Sequence, residues 1–259
     1  MTPGEISSIL HQLCDAAALE TLPRFRTGLG VDNKDMQAFD PVTEADRQAE
    51  LAIRNLLTEK HPDHGITGEE FGSVNEDARF RWIVDPVDGT RAFIAGIPVW
   101  GTLIGLYENG KPLAGIMNQP FTGERYLSDG QISVFEHNGH TQKLQTSQVT
   151  ELSDVIMMTT APELFNERDA ECFNRVAQSC RLVRYGADCY AYAQLAAGHL
   201  GLVIETGLNV YDIAALIPII ENAGGTITGW QGESALSGGR IVAAANRSLH
   251  ERALDLLNA

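Results

Sequence analysis

The order of apolar runs in this 259-residue chain predicts an α+β protein with two sheet-containing halves, residues 1–130 and 131–259, joined in one compact unit. Helical spacing at the start, short strands broken by glycine-containing turns through the middle, and strands alternating with helices towards the end predict it. Residues 4–26 form the first helix, with Ile6, Ile9, Leu10, Leu13, Ala17, Leu19 and Leu22 recurring at its spacing. A polar connection from Gly28 to Phe39 leads to Asp40-Pro41-Val42-Thr43-Glu44-Ala45-Asp46. Thr43 is the candidate cap of a second helix, which Ala49, Leu51, Ile53, Leu56 and Leu57 mark as far as His61-Pro62. Strands follow at Gly65–Gly68 and Trp82–Asp85, then an antiparallel meander over Val99–Tyr107, Leu113–Met117 and Glu124–Leu127, split by Asn109-Gly110 and Gly123. Beyond it come a strand Val155–Thr159, a helix Asp169–Gln178, a strand Leu182–Gly186, a helix Cys189–Ala197, a strand Leu200–Glu205 and a helix after Asp212.

A formal net charge of −15 argues against nucleic acid or an anionic membrane surface as the main partner, because both need a basic face. The N-terminus has no basic and apolar leader, and no run of about 18 apolar residues occurs, so a cytoplasmic location is expected. Cys14, Cys172, Cys180 and Cys189 have neither metal-site spacing nor an arginine six residues on, which leaves them as buried thiols. His11, His61, His64, His137, His140, His199 and His250 sit outside every motif and read as surface or packing residues. Phosphoaspartyl, phosphohistidine and nucleotide-loop signatures are also missing, which points to metal-activated water.

The most informative stretch is Trp82-Ile83-Val84-Asp85-Pro86-Val87-Asp88-Gly89-Thr90-Arg91, an apolar strand that runs into two carboxylates and a Gly-Thr step. Two carboxylates about 4 Å apart repel by roughly 4 kcal/mol at an effective dielectric near 20, so a fold that joins them calls for a cation or a proton between them. A hard dication such as Mg²⁺ suits oxygen ligands. A simple Asx turn would use the same residues. Three further acidic elements accompany it. Asp46 stands in the first turn of the second helix, as a capping acid or a group reaching a metal-bound water. Glu69 and Glu70 cannot both face one cleft on an extended chain, and Glu69 is taken as the inward one. Asp212 opens an apolar helix, where a cap is the alternative.

Together these segments, with Glu221-Asn222-Ala223-Gly224-Gly225, resemble the inositol monophosphatase superfamily of Mg²⁺-dependent phosphatases over nearly the whole chain. The resemblance implies a layered αβαβα sandwich of the inositol monophosphatase and fructose-1,6-bisphosphatase type, assembled as a homodimer with two or three Mg²⁺ per site. It implies that Glu69, Asp85 and the Val87 carbonyl hold one metal, and Asp85, Asp88 and Asp212 a second. Asp88, Gly89 and Thr90 would meet the phosphate, Glu69 and Thr90 would aim the attacking water, and Asp46 would support them from behind. No phosphoenzyme is implied. Lys34 stands in a loop that some relatives use near a third metal, but its surroundings match too poorly to use.

Three departures bear on the substrate. Arg91-Ala92-Phe93 replaces Thr-Asn-Phe of the inositol-specific pattern, Trp100-Gly101-Thr102-Leu103-Ile104-Gly105-Leu106 is atypical of it, and Arg184-Tyr185-Gly186-Ala187-Asp188 puts a carboxylate where a small residue is usual. These features look like the histidinol-phosphatase branch, which acts in histidine biosynthesis. Histidinol phosphate carries an ammonium and an imidazole, which Asp188 and Glu205 could pair with. Arg184, Asn209 and Asp212 are further candidates for the pocket wall, and a surface or capping acid is the other reading of Asp188. An inositol-1-phosphatase or a broad sugar-phosphate phosphatase is the alternative enzyme. A non-catalytic Mg²⁺-binding scaffold is the alternative class.

Overall fold

The computed structural model describes residues 1–27, 31–33 and 41–259, so Lys34 and Asp40 lie outside the described residues. The first helix, α1 (Pro3–Thr21), opens on a Thr2–Glu5 capping box. It stops short of the expected Arg26 because Pro23 has no N–H for the next helical bond. Leu19 is out of phase with the buried stripe of Leu10, Leu13, Ala17 and Thr21 and is 75% exposed, and Leu22 is also exposed. A two-stranded ribbon, β1 (Val31–Asn33) with β2 (Pro41–Thr43), leads into α2 (Glu44–Lys60).

The main sheet follows as β3 (Gly65–Gly68), β4 (Gly72–Val74), β5 (Phe80–Asp88), β6 (Gly101–Glu108), β7 (Lys111–Gln119), β8 (Glu124–Ser128), β9 (Ser133–His137) and β10 (His140–Lys143). A short helix, α3 (Thr90–Ile94), follows β5. The sheet order is β10-β9-β8-β7-β6-β5-β3-β4. The expected meander is present, but β9 and β10 carry the first sheet to Lys143, so the passage to the second half falls after residue 143 rather than near 130. The signal for that hairpin is Asn138-Gly139, both at positive φ, the same turn chemistry as Asn109-Gly110.

The second sheet, in order β12-β11-β13-β15-β14, comprises β11 (Ile156–Thr159), β12 (Leu182–Tyr185), β13 (Leu202–Leu208), β14 (Thr226–Gly229) and β15 (Gly239–Ala244). Between these strands run α4 (Glu167–Ala177), α5 (Asp188–Ala196), α6 (Val210–Ile213) and α7 (Leu216–Asn222), and α8 (Arg247–Leu257) closes the chain.

Period-two alternation sorts each strand's side chains between two cores. On the first sheet, Ile104, Leu106, Ala114, Ile116 and Leu127 meet α1 and α2 on one face, while Leu103, Met117 and Tyr126 meet α5 and α7 on the other. Val203, Ile241 and Ala243 of the second sheet join that middle core, and Met157, Leu202, Ile204 and Val242 face outward to α4 and α8. The result is the expected five-layer αβαβα sandwich.

The middle layer sits unusually close to the first sheet. A Cβ on Gly115 would stand 2.4 Å from the Ala215 carbonyl oxygen, and one on Gly105 2.9 Å from the Ala214 carbonyl carbon. Both obstacles are backbone. This approach holds the start of α6, and with it Asp212, against β5. A second constraint pins the β3–β4 turn. The fully buried Glu50 carboxylate accepts N–H bonds from Glu70 (2.7 Å) and Phe71 (3.2 Å) and pairs with Arg54 Nε at 2.7 Å.

Gly115→Ala is expected to lower Tm by several degrees, through the roughly 1–3 kcal/mol that overpacking costs, in a differential scanning experiment. An unchanged Tm would mean that the layers have room to spare. Glu50→Gln leaves Arg54 without its charge partner in a buried setting. Urea denaturation should show a loss of about 3 kcal/mol together with at least a tenfold drop in turnover from displacement of Glu69. Full activity in that variant would separate Glu50 from the placement of Glu69.

Candidate active site

Asp85 and Asp88 are three residues apart and would face opposite sides of a regular strand. They converge because β5 carries one extra residue here. Asp85 stands opposite Leu103 but Asp88 opposite Gly101, and the Pro86 carbonyl of the bulge accepts the Thr102 hydroxyl at 2.9 Å. Asp212 arrives from the start of α6, and the carboxylates of Asp85, Asp88 and Asp212 offer oxygens that all lie within 4.8 Å of one another. Glu69, at the β3–β4 turn, joins them through a side-chain hydrogen bond to Asp85.

Asp85 is almost wholly buried, and burial, followed by the charges of Glu69, Asp88 and Asp212, drives its pKa well above the ordinary range. Asp88 is driven up as well, by burial and then by Asp188 and Asp212, although its Oδ2 accepts the Cys189 N–H at 2.6 Å from the start of α5. Four acids held this way need protons or a hard cation. An all-oxygen set without histidine or thiolate fits Mg²⁺ in its donor chemistry.

Beside this cluster, Gly89 turns the chain at φ 83° into α3, and its missing Cβ leaves room for Asp188, whose Cβ would be 3.1 Å away. The Thr90 hydroxyl donates to the Val87 carbonyl at 3.1 Å, with Asp46 Oδ1 at 3.4 Å on its other side. Asp46 is buried and fixed in turn, its Oδ2 accepting from the Thr43 N–H (2.9 Å) and hydroxyl (2.6 Å). The cap expected of Thr43 is a full capping box with Asp46, which also aims Asp46 at Thr90.

A cavity of about 210 Å³ opens from the acids towards the second sheet, lined by Asp88, Gly89, Thr90, Asp188, Glu205 and Asp212 among others. Glu205 is 2% exposed, and it accepts hydrogen bonds from the Thr159 hydroxyl (3.1 Å) and from the Thr160 N–H (2.7 Å) and hydroxyl (3.0 Å). Burial pushes its pKa up to about 7 against the pull of these donors. Asp188 holds a left-handed φ of 45° where the chain enters α5. Burial raises its pKa to about 6, and the charge of Arg91 opposes the rise.

Two candidates stand elsewhere. Arg184 is exposed on the edge strand β12, and Asn209 is exposed and gives its N–H to Asp212 Oδ2 at 2.6 Å; neither lines the cavity. Arg91 is the cation that lines it instead, along with Thr160, Leu164, Cys189, Tyr192 and Leu208. Thr160 belongs to no motif, and Tyr192 ends the segment that begins at Arg184 without being singled out in it. A strand-end Thr facing a buried acid was the available signal for the first, and the i, i+4 spacing of Asp188 and Tyr192 on α5 for the second.

The inositol monophosphatase family pattern matches residues 3–259. A chloroplastic bifunctional phosphatase of Arabidopsis thaliana is 38% identical over 99% of this chain and 78% of its own length. A histidinol-phosphatase of Streptomyces coelicolor is 35% identical over 96% of both chains. Among solved structures, an inositol monophosphatase from Zymomonas mobilis superposes with a TM-score of 0.87 at 40% identity, over 99% of this chain and 98% of the other. The acid cluster, the layered fold and these likenesses agree, and the chain belongs to the inositol monophosphatase family of metal-dependent phosphatases, enzymes that hydrolyse phosphoric monoesters.

Proposed function

We propose that this phosphatase is a Mg²⁺-dependent histidinol-phosphate phosphatase, releasing L-histidinol and phosphate as a step of histidine biosynthesis in the cytoplasm, and working as a homodimer. The observation that carries the reading is a pair of acids on the cavity wall outside the metal cluster, half-buried Asp188 beside Gly89 and fully buried Glu205 further along it. The three groups bonded to Glu205 are neutral, and an ammonium or imidazolium would compensate its buried charge where an inositol hydroxyl could not. The Streptomyces relative supports it by name, whereas the Zymomonas structure bears the other family name and keeps an inositol ester in the test.

In this reading Glu69, Asp85, Asp88, Asp212 and the Val87 carbonyl would hold two or three Mg²⁺ ions. Bound there, the metal supplies the charge that activates water and offsets the negative charge of the departing oxygen. The N–H groups of Gly89 and Thr90 bind phosphate oxygens at the start of α3. Glu69 takes the proton of the attacking water, whose direction the Thr90 hydroxyl sets while Asp46 and Val87 orient that hydroxyl. Attack runs in line with the ester oxygen, and a water held by Asp212 returns a proton to the leaving alkoxide. Asp188 and Glu205 meanwhile hold the amine and imidazole of the alcohol.

Asp88→Asn is expected to remove at least 99.9% of turnover, roughly the thousandfold loss of a group that fixes transition-state charge, with an intact fold by circular dichroism. Near-normal turnover would take Asp88 out of the site. Phosphate release with Mg²⁺ should strongly favour histidinol phosphate over inositol-1-phosphate and fructose-1,6-bisphosphate, and EDTA should abolish it; comparable rates on all three would sink the substrate assignment.

The same assignment fixes a pH dependence. Both acids have raised pKa values, so they are neutral at low pH and ionise only as pH passes about 6 and 7. The ratio of kcat/KM for histidinol phosphate to that for its deamino analogue 3-(imidazolyl)propyl phosphate should therefore climb between about pH 5.5 and 7.5, because the metal ligands and the substrate imidazole, which itself ionises at about pH 6.5, are common to both and cancel. A flat ratio would mean that neither acid meets the amine.

A further inference from the structure

Among the described residues, five buried polar atoms have no hydrogen-bond partner: Trp100 Nε1, Tyr107 Oη, Asn118 Nδ2, Gln119 Nε2 and Tyr192 Oη. Of these residues, Tyr192 alone lines the cavity of the candidate active site. Its position follows from α5, on which Tyr192 lies one turn after Asp188 and therefore on the same face. The side chain is 3% exposed, and its phenol lies within the fields of Glu205, Asp88 and Asp212, acids that come from β13, β5 and α6.

A phenylalanine would fill the same volume without burying a hydroxyl that has no partner, so the oxygen is a standing cost to the resting protein. Its chemistry limits what could repay that cost. Burial and the surrounding acids push the phenol pKa up, so the group stays protonated and neutral. With Asp88 and Asp212 assigned to the metal, Glu205 is the acid left to favour a cation, and a cationic N–H is a partner from which the phenol oxygen can accept.

We infer that the Tyr192 hydroxyl is a specificity-determining group that accepts a hydrogen bond from an ammonium carried by the alcohol half of the phosphate ester. This deepens the histidinol-phosphate reading and rests on it. In histidinol phosphate the amine sits on the carbon next to the ester methylene, between the phosphate end held by Gly89 and Thr90 and the distal wall at Glu205. Tyr192, placed among Asp88, Asp212 and Glu205, lies between those two ends.

The test compares wild type and Tyr192→Phe on histidinol phosphate, its deamino analogue 3-(imidazolyl)propyl phosphate, and inositol-1-phosphate, with Tm measured for both proteins. On histidinol phosphate the variant should lose roughly ten- to a hundredfold in kcat/KM, the worth of a hydrogen bond to a charged group, mostly as a higher KM. On the deamino analogue it should change less than about threefold, and Tm should be unchanged or higher. Equal losses on both imidazole esters, no loss on histidinol phosphate, or a Tm several degrees lower would each overturn the assignment, the last because it reveals a structural partner for the hydroxyl. A wild type that does not prefer histidinol phosphate to inositol-1-phosphate removes the substrate reading and this inference with it. A wild type with that preference and an indifferent variant removes only the role of Tyr192.

Discussion

Mutual repulsion of four carboxylates is the constraint around which the rest of this molecule is arranged. Glu69, Asp85, Asp88 and Asp212 come from the β3–β4 turn, from both sides of a bulge in β5, and from the start of α6. Nothing in their own chemistry brings them together in the absence of a cation. The force that does so is packing: the α6–α7 backbone is pressed onto glycines of β6 and β7, and a buried Glu50–Arg54 pair holds the turn that carries Glu69. Packing thus holds unfavourable electrostatics in place, so that a metal ion bound as proposed would meet oxygens already gathered.

Both halves of the chain line the candidate site. The first half contributes β5 and α3, with the bulge, the left-handed Gly89 and the Thr90–Asp46 contact all within one short segment and the helix cap beside it, and this is the end proposed for the phosphate. The second half contributes the end proposed for the alcohol, at the carboxyl ends of β11 and β13 and the start of α5, the usual place for ligands in sheets with parallel strands. The two ends are tied by one short hydrogen bond, from the Cys189 N–H to Asp88. Asp188 and Tyr192, both on the cavity wall, lie one turn apart on α5.

Much of the acid cluster and its neighbouring turn was legible in the sequence because those residues are close in sequence. Asp85-Pro86-Val87-Asp88-Gly89-Thr90 names its acids, its turn and its hydroxyl in six positions, and Thr43 with Asp46 names a helix cap three residues apart. The far wall of the cavity was legible only in part. Arg184 read as a wall residue because it is close to Asp188 along the chain, yet β12 is an edge strand that turns it to solvent. Glu50 carries no signal of its own in the sequence, because its environment is set by a turn twenty residues away.

By itself the sequence determined the class of fold, most of the strands and helices, and the identity of the acids, since periodicity, turn residues and caps are local properties. Only the tertiary structure decided which faces those elements turn to one another. It ran the first sheet on to Lys143, put Arg91 rather than Arg184 at the cavity, closed Glu205 under two threonines, and buried the Tyr192 hydroxyl. The reason is physical: burial and electrostatic field at an atom are sums over neighbours from distant parts of the chain, and those neighbours are defined only once the layers have packed.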